Sequence, residues 1–196
     1  VVGCNNIRMP HDVGHITMIK ELIKNDVLVL TTGCAAMACG KAGLLTPEAA
    51  REFSGSGLAE VCEAVGIPPV LHMGSCVDNS RILVAATAMV KEGGLGDDIS
   101  DLPAAGAAPE WMSEKAIAIG QYFVGSGIFT VFGTTWPTLG SDKVTGHLFN
   151  DYKELYKGMW AFEMDPVKAA HLMIEHIDSK RKALGIDKAR ERVLFD

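Results

Sequence analysis

Apolar positions along the chain follow two rhythms: short continuous runs, and longer stretches in which they recur three and four apart. Ile16, Ile19, Leu22 and Ile23 keep helical spacing as far as Asn25, with Asp12 placed as the cap. Val27 to Leu30 is too uniformly apolar to have a wet face, which is how a strand of a parallel sheet covered on both sides reads. Ala35 to Cys39 is small and helix-compatible. Thr46-Pro47-Glu48 opens a helix with Pro at its first position, and Ser56 to Val65 predicts another, closed by Gly66. A strand over Pro69 to Met73 leads into Val77 to Val90, apolar almost all round and so expected to be buried on most faces. Leu102 to Ala108 is a weak alanine-rich strand, followed by a helix to about Val124, and Ile128 to Phe132 is the clearest strand of the second half. Helical pieces over Asp142 to Tyr156, a short strand near Trp160 to Glu163 and a helix capped by Asp165-Pro166 complete the pattern, the last with Ala169, Leu172, Met173, Ile174 and Ile177 as its stripe. Strand and helix alternate throughout, so the predicted class is α/β with a parallel sheet and helices on both faces.

Composition adds limits. The 196 residues suffice for one domain with a substantial core, 48% are apolar and 21% charged, and the formal charge is −6. No basic surface of the kind that displaces counterions from nucleic acid is expected, and Lys180-Arg181-Lys182 suits the last turn of a helix. No uninterrupted apolar window is long enough for a membrane span, and no signal peptide is visible. Five cysteines at uneven spacing do not make a secreted disulfide framework, which points to a reducing cytoplasm. The chain opens on Val1-Val2, which reads as mid-strand, so residues 1–196 are expected to be a single domain incomplete at its amino end.

Chemistry concentrates where predicted strands stop. Gly3-Cys4, Gly33-Cys34 and Gly74-Ser75-Cys76 each place a thiol at a strand end, where ligands bind in open parallel sheets. The intervals of 30 and 42 residues are too long for a zinc knuckle but suit a site assembled from separate loops, and thiolates favour iron-sulfur clusters, copper(I), zinc or nickel. The alternative for each is a buried free thiol, and that reading is preferred for Cys39 and Cys62. Lys115, in the first turn after Pro109, either is a solvated lysine or faces the same rim as the cysteines and stabilises a developing anion. His72 reads as a core histidine, while His11 and His15 are spaced four apart but lack the glutamate of a zinc protease motif. Asp78, Asn79 and Arg81 read as a helix cap and its neighbours, or as residues that orient Cys76.

Gly3-Cys4-Asn5-Asn6, Thr32-Gly33-Cys34, His72-Met73-Gly74-Ser75-Cys76-Val77-Asp78-Asn79-Ser80-Arg81 and Ala108-Pro109-Glu110-Trp111-Met112-Ser113-Glu114-Lys115 together resemble the carboxyl-terminal part of the catalytic subunit of anaerobic, nickel-containing carbon monoxide dehydrogenases. The resemblance implies a Rossmann-like domain and conversion of CO and water to CO2, two protons and two electrons at a nickel-iron-sulfur (Ni-4Fe-4S) cluster. It implies Cys4 and Cys34 as iron ligands, Cys76 as nickel ligand, and Lys115 as the lysine that hydrogen-bonds bound CO2 or the water-derived oxygen. It further implies a homodimer, a ferredoxin-like electron acceptor, an acetyl-CoA synthase partner in some members, and membrane association only through partners. The family's subunit is roughly three times longer. Its amino-terminal part, with further 4Fe-4S clusters and the histidine and two cysteines that complete the active cluster, has no counterpart in these residues. Two alternatives stand beside this one: a related hybrid-cluster hydroxylamine reductase, and a noncatalytic α/β interaction module. No Gly-x-Gly-x-x-Gly follows a predicted strand, so a nucleotide site has no support.

Overall fold

Short β-branched and apolar runs joined by helices too long to fold back as hairpins leave parallel pairing as the available solution. In the computed structural model, which describes residues 1–4, 10, 12–134 and 137–188, every paired strand is parallel. The order is α1 (Val13–Lys24), β1 (Val29–Thr31), α2 (Gly33–Lys41), α3 (Glu48–Phe53), α4 (Ser56–Val65), β2 (Val70–His72) and α5 (Ser80–Gly93). It continues with β3 (Ala105–Ala108), α6 (Glu114–Gly125), β4 (Phe129–Phe132), α7 (Asp142–Gly146), a π-helical turn His147–Asp151, α8 (Tyr152–Tyr156), β5 (Trp160–Phe162) and α9 (Pro166–Ala183).

The strands form two sheets rather than one: β1 beside β2, and β3-β4-β5 in that order. The amino-terminal residues lie between them. The Val2 amide donates to the Ala107 carbonyl of β3 at 2.8 Å, and the Val1 nitrogen donates to the Leu30 carbonyl of β1 at 2.8 Å.

Alternation along β3 and β4 sends side chains into two cores. Ala107, Phe129 and Val131 join Met18, Ile19, Leu22 and Ile23 of α1 and Ala169, Ala170 and Met173 of α9. Ala108 and Phe132 face the other way, against Phe123 and Val124 of α6 and Leu83 of α5. Helices therefore cover both faces, and each fully buried Leu or Ile contributes ~1.5–3 kcal/mol. Gly120 permits the approach of α6 to β4, since a Cβ there would lie 2.1 Å from the Phe132 ring.

Several expectations are corrected. The first strand starts two residues later than the expected Val27 to Leu30 and ends one later, because Val27 still closes the turn after α1, its N–H donating to the Leu22 carbonyl. Asp12 does not cap α1 with its side chain; it adopts φ 66° and its carboxylate pairs with Lys41 instead. The stretch from Cys76 begins as a three-ten turn before α5, and it is not buried on most faces: Val77 is 80% and Val84 69% exposed, with only Leu83, Ala86 and Val90 buried along α5. Leu172 likewise lies outside the buried stripe of α9. Asp165 does cap α9, accepting from the Val167 and Lys168 amides, and Lys180, Arg181 and Lys182 occupy its last turn. Among the described residues no helix is long and apolar enough to cross a membrane.

His176 of α9 stacks on Phe129 of β4 at 4.8 Å between ring centres, and burial pushes its imidazole down to about 4. The fold thus holds the neutral ring, whereas the unfolded chain takes up a proton below its ordinary value near 6.5. Stability is expected to be level above pH 6.5 and to fall as pH drops from there towards 4. Thermal melts across that window should show the loss, and His176→Phe should lessen it.

Candidate metal centre

Each candidate cysteine owes its position to a glycine that no other residue could replace cheaply. Gly3, at φ +135°, lets the chain pass the Glu110 carbonyl, which a Cβ would approach to 2.2 Å. Gly33, at φ +59°, starts α2 against Cys76, whose Cβ would sit 3.2 Å from any side chain added there. Gly74, at φ +121°, turns the chain out of β2, where a Cβ would meet the Asp78 carboxylate at 2.6 Å. That carboxylate caps the three-ten turn Cys76–Asp78: Asp78 Oδ2 accepts from the Ser75 amide at 2.8 Å and from the Ser75 hydroxyl at 2.9 Å. The Ser75 amide is the chief cause holding the Asp78 carboxyl below the usual range.

These loops end at one cavity of about 540 Å³, lined by Cys4, Cys34, Cys76, His72, Ser113 and Lys115 among others. It opens beyond the carboxyl ends of β1, β2 and β3, the side on which parallel sheets bind ligands. A larger cavity, about 740 Å³, lies at the opposite ends of the strands, is lined largely by apolar side chains, and none of its lining residues is a cysteine. The Lys115 ammonium, in the first turn of α6, lies 3.9 Å from Cys76 Sγ. Cys4 Sγ accepts from the Met112 amide at 3.3 Å and sits 3.8 Å from the Ser113 hydroxyl. Cys34 is exposed, Cys4 and Cys76 half-buried.

The thiols do not form a site for one ion, since among the described residues no three His, Cys, Asp or Glu side chains are grouped to hold one. Three soft donors on one concave wall, each from a different loop, fit a multi-metal sulfur cluster in which each thiolate takes a separate metal. Cys39 and Cys62 stay outside this wall, fully packed in the core. Burial raises the Cys39 thiol to about 11 and raises that of Cys62 as well, which suits packing rather than ligation.

The histidines fall out differently from expectation. His72 is exposed and lines the cavity rather than the core, because its strand ends there; its Nδ1 accepts from the Gly74 amide at 3.0 Å. His15 is fully buried behind the Cys4 loop, its Nε2–H donating to the Cys4 carbonyl at 3.2 Å, while Nδ1 has no partner among the described residues. Burial lowers the His15 imidazole from its ordinary value, opposed by the nearby Glu110, itself buried and accepting from the Gly14 amide. His11, like Asn5 and Asn6 of the Cys4 motif, lies outside the described residues. Arg81 stays at the surface beside Asp78, 3.6 Å away. Thr32 and Asn79, both buried, join the loops of Cys34 and Cys76, and for Thr32 the only trace in the sequence was its place ahead of Gly33-Cys34.

A model of the Prismane/CO dehydrogenase family matches residues 1–167. Over 187 residues the chain is 63% identical to carbon monoxide dehydrogenase 1 of Methanosarcina mazei, covering 95% of this chain and 29% of that protein. It is 41% identical over 196 residues to carbon monoxide dehydrogenase/acetyl-CoA synthase subunit beta of Moorella thermoacetica, again 29% of that protein and 96% of this chain. A nickel-free crystal structure of carbon monoxide dehydrogenase from Thermococcus sp. AM4 superposes with a TM-score of 0.88 at 53% identity, covering 94% of this chain and 29% of that one. The chain thus spans about 29% of the length of the curated relatives it matches.

Proposed function

The chain belongs to the Prismane/CO dehydrogenase family, and on that footing we propose that it forms one wall of the nickel-iron-sulfur site of an anaerobic carbon monoxide dehydrogenase. One observation carries this reading: three cysteines from three loops and a lysine converge on a single cavity at the carboxyl ends of parallel strands.

Residues 1–196 are proposed to act as one carboxyl-terminal, Rossmann-like domain. In support, Val1 and Val2 bond to β1 and β3 as a further strand would. Placing residues 1–3 between the two sheets gives the spatial order β2, β1, 1–3, β3, β4, β5, that of a doubly wound dinucleotide fold.

When bound, the cluster supplies the redox chemistry, accepting the two electrons released as CO and water become CO2 and two protons. Cys4 and Cys34 would hold irons and Cys76 nickel, all as thiolates. Lys115 brings a positive charge and ammonium donors beside Cys76, where they can hydrogen-bond the oxygen on which negative charge gathers. The ammonium can also give a proton to that oxygen, and the neutral amine so formed can take one back from water. The Met112 amide, donating to Cys4 Sγ, offsets charge on that thiolate.

The other cluster ligands, further 4Fe-4S clusters and the route to a ferredoxin-like acceptor would lie in other parts of a homodimeric, cytoplasmic enzyme. The name of the Moorella relative supports an acetyl-CoA synthase partner for some members. Purified without oxygen, the whole protein is expected to contain nickel, iron and sulfide and to reduce methyl viologen under CO. A protein with iron but no nickel that reduces hydroxylamine would overturn this reading in favour of a hybrid-cluster reductase.

A further inference from the structure

Two of the three thiol-bearing loops are joined to each other before any metal is considered. The Thr32 hydroxyl donates to Asn79 Oδ1 at 2.9 Å, and Asn79 Nδ2 donates to the Cys76 carbonyl at 2.6 Å. Both residues are almost completely buried, with Thr32 1% and Asn79 4% exposed. Thr32 immediately precedes Gly33-Cys34, so the amide of Asn79 spans from the Cys34 loop to the main chain of Cys76. Two main-chain bonds run alongside: the Gly33 amide donates to the Gly74 carbonyl at 3.0 Å, and the Met73 amide to the Thr31 carbonyl at 2.8 Å. Gly33 closes the remaining space against Cys76. Cys4 belongs to none of these contacts; it is held by Met112 and His15 from other elements.

The chemistry of the link selects asparagine. A carbonyl can only accept, so the atom facing Cys76 must be the amide nitrogen, which leaves Oδ1 to take the threonine proton. Aspartate would keep the bond accepted from the Thr32 hydroxyl but set a negative oxygen against the Cys76 carbonyl. Serine would not reach both partners with one hydroxyl.

We infer that Asn79 is a positioning residue that, with Thr32, fixes Cys34 and Cys76 as one preset pair and so sets the span between the iron and nickel thiolates. The inference rests on the proposed function for the identity of the metals, but the pairing of the two loops does not depend on it. Cys4 then completes the wall as a separately held ligand.

The test uses the whole protein prepared without oxygen, with Asn79→Asp, Thr32→Val and Thr32→Ser. Partners one bond beyond a metal ligand typically govern ~10–100-fold of metal affinity. Asn79→Asp and Thr32→Val are expected to lower nickel affinity by that order, to keep iron near its native content, and to shift the paramagnetic resonance of the metal centre. Thr32→Ser, which keeps the hydroxyl, should recover nickel relative to Thr32→Val. A second readout needs no metal: in metal-stripped protein, the alkylation rates of Cys34 and Cys76 should change together in Asn79→Asp and Thr32→Val, with Cys4 unaltered. Thr32→Val is nearly isosteric and keeps the test open if the aspartate variant does not fold. Unchanged nickel affinity and unchanged alkylation in folded Thr32→Val protein would overturn the inference. Native protein that lacks nickel yet shows the paired alkylation change would count against the proposed function and leave the positioning role standing.

Discussion

Cys76→Ala in the whole protein is expected to leave iron bound, to remove nickel, and to lower CO-dependent viologen reduction by well over ~100-fold, more than the ~10–100-fold that loss of an outer partner costs. The substitution is clean because alanine keeps most of what Cys76 does for the fold. Its Cβ still packs against Gly33, and its carbonyl still accepts from Asn79. The site is half-buried and lines an open cavity, so no dry core void is created. What disappears is the sulfur, and with it the soft donor 3.9 Å from the Lys115 ammonium. Metal analysis of the purified variant decides the point, since full nickel content with native CO oxidation would remove Cys76 from the ligand set.

Lys115→Gln should produce the second large effect, with the opposite signature. Lysine in this position is not a soft ligand, so nickel and iron are expected near native content while kcat falls by ~10²–10³, the loss typical when one donor to a developing anion is removed. The side chain is exposed and its replacement touches no packing, so thermal stability should move by no more than ~0.5 kcal/mol. Glutamine retains a hydrogen-bond donor but no charge. Comparison with Lys115→Met therefore separates charge from hydrogen bonding, in single-turnover rates under CO. Loss of nickel from the glutamine variant would instead assign Lys115 to holding the Cys76 thiolate.

Much of this site was legible because the three cysteines follow glycines at strand ends, and strand ends can be read from apolar runs. The glycines themselves proved to have separate causes: the Glu110 carbonyl at Gly3, Cys76 at Gly33, and the Asp78 carboxylate at Gly74. None of those neighbours is local in sequence for Gly3 or Gly33, which is why the pattern showed that a glycine was needed without showing against what. Asn79 could be weighed as an orienting residue from its place after Cys76, but its bond to Thr32 joins positions 47 apart and had no local trace. His72 was misplaced for a related reason: three strand residues are too few for alternation to separate a core face from a rim. The same brevity hid the position of Val1 and Val2 between β1 and β3. The stretch from Cys76 through α5 erred in the other direction. Apolar residues at Val77 and Val84 state a preference for being covered, and periodicity cannot say that these 196 residues supply the cover.

The pairing of α1 with α9 has a consequence in time. Met18, Ile19 and Ile23 share one core with Ala169, Ala170 and Met173, and Glu21 accepts from His171 across the same seam. During synthesis at ~5–20 residues per second, α1 waits roughly 7–30 s for the helix that completes its cover. Val29, Leu44, Ala50 and Val70 can cover part of its apolar stripe earlier, but the part that Ala169, Ala170 and Met173 cover stays open for that interval, and contacts this distant in sequence also close slowly once available. Yield of folded protein should therefore be governed less by final stability than by how long the ribosome takes to reach Pro166.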